Sequence, residues 1–209
     1  MYLICTIPHT SRHTCTLYQL SYAGGPHEHQ IAAVATQLKE VATPAFKAYS
    51  RQVRANAQAA ADQLVTKHGY TLATGGTDNH LILWDLKPQG LSGSKMQTIC
   101  DHASITLNKN AVLGDRSALT PGGVRIGSPA LTTRGLNEAD FRQVADFLHT
   151  AVQIALKIQE TTKTMKEFEA AVKASAEVKA LRKAVQHFIT RFPMPGFDVA
   201  SMRYKTLEE

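Results

Sequence analysis

The 209-residue chain is most restrictive in what it has little of. It holds three cysteines, Cys5, Cys15 and Cys100, an odd set without a CxxC spacing. That excludes a disulfide scaffold and a zinc site of the usual kind, and suits a reducing compartment. Aromatic residues make up 7%, and no apolar run approaches the ~20 residues of a membrane span. No block of five like charges occurs, so the net charge of +6 is spread among acidic residues rather than gathered into a nucleic-acid tail. The first 23 residues lack both acidic residues and lysine, and contain one arginine. This half fits a transit peptide, but a single arginine supports it poorly, and a disordered or mis-assigned leader is the simpler reading.

The remainder is ordinary globular material. A hydrophobic fraction of 44% and a charged fraction of 19% allow a real core, and the length suits one domain with appendages or two small ones. After the break at Gly24-Gly25-Pro26, the residues Ile31, Val34, Ala35, Leu38 and Val41 recur on one helical face. Pro44 interrupts. A second helix then runs through Phe46, Tyr49, Val53, Ala57, Ala60 and Leu64 to the stop signal Lys67-His68-Gly69. Tyr70–Thr74, Leu81–Trp84 and Ile105–Leu107 read as short strands, with a loop over Pro88–Ser94 and a short helix over Lys95–His102. Asn137 is placed to cap a helix whose face is Phe141, Val144, Leu148, Val152, Ala155 and Ile158. One last helix is expected over Lys163–Arg191, stopped by Phe192-Pro193-Met194-Pro195-Gly196. Helices between a few short strands give an α/β or α+β sandwich, with too few strands for a doubly wound nucleotide fold.

The stretch Asn108–Gly135 stands out. It is long, rich in Gly, Pro, Asn, Asp and Ser, and carries Arg116, Arg125 and Arg134. Segments of this kind inside compact domains are functional loops or linkers, and a linker has no use for Val-Arg-Ile between glycines. Arg125 therefore reads as an arginine projecting from a short strand and needing an acceptor. Its fork suits a carboxylate, supplied either by a ligand or by an Asp or Glu of the same chain. Gly24-Gly25-Pro26-His27 before a helix start fits an anion site, although a simple turn explains it more cheaply. His27 and His29, two apart on a helix, point apart and make a poor metal pair. Asp78-Asn79-His80 suggests a catalytic His–Asp pair, yet has no nucleophile in a recognisable context and is explained by turn chemistry.

Several of these segments together resemble one family. Asn-Lys-Asn at 108–110, Gly-Asp-Arg-Ser-Ala-Leu at 114–119 and Gly-Val-Arg-Ile-Gly-Ser-Pro-Ala-Leu-Thr-Thr-Arg-Gly at 123–135 are similar to serine hydroxymethyltransferases of the eukaryotic type. So are Gly-Gly-Pro-His-Glu-His at 24–29 and Thr-Gly-Gly-Thr-Asp-Asn-His-Leu-Ile-Leu at 74–83. The resemblance runs in order from Gly24 to Pro195, with Ser128 where Thr is commoner and Leu113 where Pro is commoner. It implies a pyridoxal-phosphate transferase of the aspartate-aminotransferase fold type, which interconverts serine plus tetrahydrofolate with glycine plus 5,10-methylenetetrahydrofolate in one-carbon metabolism. By that resemblance Arg125 takes the substrate carboxylate, and Gly24 and Gly25 reach the cofactor phosphate of a neighbouring subunit. Asn110 and Ser117-Ala118-Leu119 lie where the family contacts folate.

The chain then corresponds to the C-terminal half: an unmatched leader at 1–23, linking helices at 24–68, the small α/β domain at 69–196 and a tail at 197–209. The family's Schiff-base lysine, the aspartate that pairs with the pyridine nitrogen and the histidine that stacks on the ring belong to a segment with no counterpart before Gly24. This predicts a chain without a catalytic lysine and inactive alone, either a truncated record of a glycine hydroxymethyltransferase or a short product that binds a full-length homologue. Serine or glycine, folate and a homo-oligomer are the implied partners, in the cytoplasm or a mitochondrion. A binder of nucleic acid through net charge is the contrasting class.

Overall fold

The computed structural model describes residues 26–117, 120–198 and 201. The chain divides into two compact units, Met1–Lys47 and Ala48–Glu209. In the first, helix α1 spans Glu28–Val41, with Glu28 in its first turn and Lys39 in its last, both favourable to the helix dipole. None of its residues is buried, and Ile31, Val34 and Leu38 are each more than half exposed. Helix α2, Pro44–Asp62, opens on the expected proline and runs on through a π-helical turn at Gln63–Lys67, which ends at Gly69 with a left-handed φ of 69°.

The second unit is built on a four-stranded antiparallel sheet of order β1-β2-β4-β3. Its strands are β1 (Thr71–Leu72), β2 (Leu81–Asp85), β3 (Asn108–Asn110) and β4 (Gly123–Gly127). Period-two alternation sorts the side chains into two faces. Leu72, Ile82, Trp84 and Val124 are buried on the core face, with Trp84 paired to both Leu72 and Val124. The other face carries Leu83, Asp85, Arg125, Asn108 and Asn110, none of them buried. Two glycines permit the close packing that this needs. A Cβ on Gly123 would lie 2.6 Å from the Trp84 carbonyl oxygen, and one on Gly93 only 2.1 Å from that of Gly123.

Helices cover the core face. Helix α3, Gly93–His102, is capped by Ser92, and a short α4 spans Pro129–Thr133. Helix α5, Glu138–Thr161, starts on a complete capping box between Asn137 and Asp140, as the cap at Asn137 foreshadowed. Helices α6, Met165–Ala174, and α7, Ala176–Ile189, follow, and α3, α5, α6 and α7 pack on one another. Phe168, Leu148, Ile99 and Met96 fill the space between them and Trp84.

Three local expectations are corrected. The strand expected at Ile105–Leu107 lies instead at Asn108–Asn110, because the Ile105 amide donates to the Cys100 carbonyl and so finishes α3, and Leu107 turns into the core. The single helix expected over Lys163–Arg191 is two helices, since Ser175 adopts an extended conformation and its Oγ accepts from the Val178 amide. The loop expected over Pro88–Ser94 holds a 3₁₀ turn at Lys87–Gln89 and the start of α3.

A polar cluster ties the end of the π-helical turn to α5. Asp146 accepts from Gln63 Nε2 at 2.9 Å, Lys67 Nζ at 2.9 Å and His68 Nε2 at 2.7 Å. The His68 ring stacks on His149 at 4.0 Å, and Tyr70 Oη lies 2.8 Å from His149 Nδ1. Burial pushes the Asp146 carboxyl up, but the hydrogen bonds from Gln63, His68 and Lys67 outweigh it and bring it down to about 2. Its folded value lies below its unfolded one, so its contribution to stability is complete above about pH 4 and is lost as the pH falls towards 2. Asp146→Asn is expected to lower stability at pH 7 by roughly 1–2 kcal/mol, allowing for solvent screening. In urea unfolding, the gap between the two proteins should close between pH 4 and 2; a gap independent of pH would refute the assignment.

Candidate functional site

The site is assembled on the open face of the sheet. Strand β4 lies between β2 and β3, and its register sets Arg125 opposite Leu83 on one side and Asn108 on the other. Two rows away from the β4 centre, Gly123 is flanked by Asp85 and Asn110. Arg125 and Asn110 thus project from the same face of adjacent strands, one diagonal step apart, a spacing of ~7–8 Å between backbones.

Arg125 is exposed rather than sequestered, so the cost of a buried charge does not apply. Its Nη2 donates to Asn108 Oδ1 at 3.5 Å. Among the described residues no Asp or Glu forms an ion pair with it. Of the two partners that suited the fork, a same-chain carboxylate is thus not found among the described residues, and the guanidinium retains its bidentate capacity. Asn110 places its Nδ2 on the Ala111 carbonyl at 2.8 Å, which leaves its Oδ1 turned to other donors.

The loop that follows is closed by Asp115. Its Oδ2 accepts from the Val112 amide at 2.9 Å and the Gly122 amide at 2.8 Å, stapling the two ends together. Lys87 reinforces the staple by donating to the Leu113 carbonyl and standing 3.9 Å from both Asp85 and Asp115. The Gly122 and Val112 amides, then Lys87, hold the Asp115 carboxyl below its ordinary value. The loop presents Ser117, whose carbonyl accepts from the Thr120 amide at 3.3 Å. Ala118 and Leu119, named beside it for folate contact, lie outside the described residues, as do Gly24 and Gly25.

The remaining candidates have other work. Arg134 donates to the carbonyls of Ile189 and Phe192, each at 2.9 Å, and of Pro193 at 3.1 Å, and so finishes the C-terminus of α7. In the Asp78-Asn79-His80 bend, Asn79 Oδ1 accepts from the Leu81 amide at 2.8 Å, and the His80 carbonyl receives the Ser128 amide at 3.0 Å. That is turn chemistry. Ser128 also donates from Oγ to the Val53 carbonyl at 2.7 Å, anchoring the end of β4 to α2. Cys100 is fully buried, and burial followed by the charge of Asp101 pushes its thiol up, away from nucleophilic use.

Asn108, Asp115 and Lys87 were not anticipated as site residues. Two signals were present: the Gly-Asp pair at 114–115, typical of an Asx turn, and the period of two that links Asn108 to Asn110.

Pyridoxal phosphate requires a lysine amine that can be desolvated and freed of its proton. On this face the lysine is Lys87, which is already engaged with Asp85, Asp115 and the Leu113 carbonyl. Lys109 is on the other row of β3, level with Val124. The described residues of this face do not fit the covalent part of that cofactor.

Comparison with known proteins places the chain in a family. Residues 17–148 match the family model described as serine hydroxymethyltransferase. Serine hydroxymethyltransferase 4 of Arabidopsis thaliana is 52% identical over 183 residues, covering 87% of this chain and 39% of the relative. The cytosolic serine hydroxymethyltransferase of Oryctolagus cuniculus is 47% identical over 180 residues, covering 83% and 37%. The chloroplastic serine hydroxymethyltransferase 3 of Arabidopsis thaliana is 48% identical over 182 residues, covering 83% and 34%. The chain thus spans less than two fifths of the length of these relatives. No helix among the described residues is long and apolar enough to cross a membrane. The chain belongs to the serine hydroxymethyltransferase family.

Proposed function

We propose that this chain supplies the carboxylate-binding and folate-facing wall of a serine hydroxymethyltransferase active site. In that reading it is the small-domain half of a pyridoxal-phosphate transferase of the aspartate-aminotransferase type. The residues of 24–68 would link it to the large domain of such an enzyme, and the catalytic lysine would belong to that domain. The observation that carries the proposal is Arg125 itself, a guanidinium on an open sheet face that pairs with no carboxylate among the described residues.

The division of labour follows from the chemistry of each group. Arg125 takes the carboxylate of serine or glycine in a bidentate grip and fixes the orientation of the Cα substituents. Asn110 and Ser117, on the loop held by Asp115, would offer polar partners to the edge of a pteridine ring, and Ala118 and Leu119 would join them by the family resemblance. Gly24 and Gly25 would approach a cofactor phosphate of a neighbouring subunit through backbone amides. Bound pyridoxal phosphate would supply the electron sink that lets serine lose its hydroxymethyl carbon. None of the groups in this chain replaces it, so the chain alone is expected to bind substrate without turning it over.

Charge-assisted hydrogen bonding by one exposed fork contributes about 1.5–3 kcal/mol, which limits affinity to the millimolar range. Titrating L-serine into the purified chain should shift the Arg125 side-chain NMR resonance with a millimolar midpoint. Arg125→Lys should abolish saturation below about 100 mM, since a point charge cannot reproduce the fork. Unchanged binding in that variant would refute the role of Arg125.

A second reading, a non-catalytic chain that pairs with a longer homologue, draws on α1. Its Ile31, Val34 and Leu38 are exposed at helical spacing, and burial of such side chains is worth about 1.5–3 kcal/mol each. Mixed with a full-length family member, the chain should co-elute with it in gel filtration. Ile31→Asp with Leu38→Asp should prevent this; co-elution undiminished by both changes would reject the helix as the contact.

A further inference from the structure

We infer that Asn108 is a positioning residue for Arg125, holding the fork still while leaving its charge available to a ligand carboxylate. The inference rests on the reading of Arg125 as the carboxylate arginine and adds to it the residue that prepares it. Strand register puts Asn108 directly across from Arg125, and the Oδ1 of Asn108 accepts from Nη2 at 3.5 Å. The neighbour on the opposite side is Leu83, half-buried and apolar, which walls the guanidinium without offering it an acceptor.

The choice of a neutral amide at 108 has a physical consequence. A free arginine side chain samples many rotamers, and each must be given up when a carboxylate is gripped. An acceptor on one edge of the guanidinium removes part of that freedom beforehand. A carboxylate in the same place would remove it too, but would occupy the fork and compete with the ligand. Amide oxygen orients without neutralising. At 3.5 Å the contact lies at the outer limit of a hydrogen bond, so it biases one nitrogen without committing the whole guanidinium.

The other carboxylates of this face are engaged away from Arg125. Asp85 accepts from the Lys87 amide at 2.9 Å, and Asp115 from the Val112 and Gly122 amides. Of the two positions directly across from Arg125, 83 is apolar and 108 is the polar one, so an acidic side chain at 108 would face the fork directly. The difference of one atom between Asn and Asp there is what separates an available arginine from a paired one.

The order of effects in a glycine titration tests this. In the ¹⁵N-labelled full chain at pH 7, with the Arg125 Nε–Hε resonance as the probe, Asn108→Ala should raise the Kd for glycine about two- to threefold through lost orientation. Asn108→Asp should raise it about fivefold, the worth of a competing exposed ion pair of ~1 kcal/mol. A merely structural role gives the reverse order, because Asp matches the shape of Asn and Ala does not. Unchanged Lys109 and Val124 amide shifts in both variants establish that β3 is still paired. Arg125→Lys serves as the control. If the unsubstituted chain shows no response to glycine, or Arg125→Lys responds equally, the carboxylate reading falls and this inference with it. If those two behave as expected while Asn108→Asp binds as tightly as Asn108→Ala or better, the inference about Asn108 alone is overturned.

Discussion

The pairing of β4 between β2 and β3 is the constraint on which the rest of the structure depends. It requires backbone approach closer than any side chain permits at Gly123, where a Cβ would strike the Trp84 carbonyl and the Val112 side chain, and at Gly93, which abuts the Gly123 carbonyl. That contact fixes the strand register, and the register decides which face each residue occupies. A slip of one residue would turn Val124 outwards and bury Arg125 in its place. The same pairing therefore builds the core around Trp84 and raises the guanidinium on the opposite face. A side chain at either glycine would have to push apart the two strands or the helix start that the site rests on.

From this frame the site acquires two kinds of order. Rigid order comes from the sheet: Arg125, Asn108 and Asn110 are spaced by strand geometry and gain nothing from loop conformation. Conditional order comes from Asp115, whose two amide bonds join Val112 to Gly122 and whose carboxylate stands beside Lys87. In the proposed reading an amino-acid carboxylate would meet the first, and the polar ring of a second ligand the other. The chain spans less than two fifths of its relatives' length, and what is proposed for it is accordingly one wall of a site.

Much of this was legible in the sequence because the signals were local. Asn137 was readable as a helix cap, and Asp140 completes its box; Pro44 and Gly69 mark real boundaries. Arg125 between apolar residues and glycines announced a strand-borne arginine. What could not be read was non-local or weakly coded. Asn-Lys-Asn has poor strand propensity and becomes β3 only because β4 offers it a partner. The break between α6 and α7 depends on Ser175 alone, without Gly or Pro to mark it. That Arg125 pairs with no carboxylate among the described residues follows from where Asp85 and Asp115 are directed, which only the fold determines. The long motifs of Asn108–Gly135 carried the family resemblance, and the family match extends it over most of the chain.

The central claim is that the Arg125 fork on the open sheet face is a carboxylate receptor with the folate-facing loop beside it. A crystal structure of the chain soaked with glycine and a tetrahydrofolate analogue tests it most directly. The account predicts the glycine carboxylate on the guanidinium with two N–O distances of about 2.7–2.9 Å, and the pteridine within hydrogen-bonding reach of Asn110. A glycine carboxylate bound at any other group, or Arg125 found paired with an acidic residue of its own chain, would contradict it.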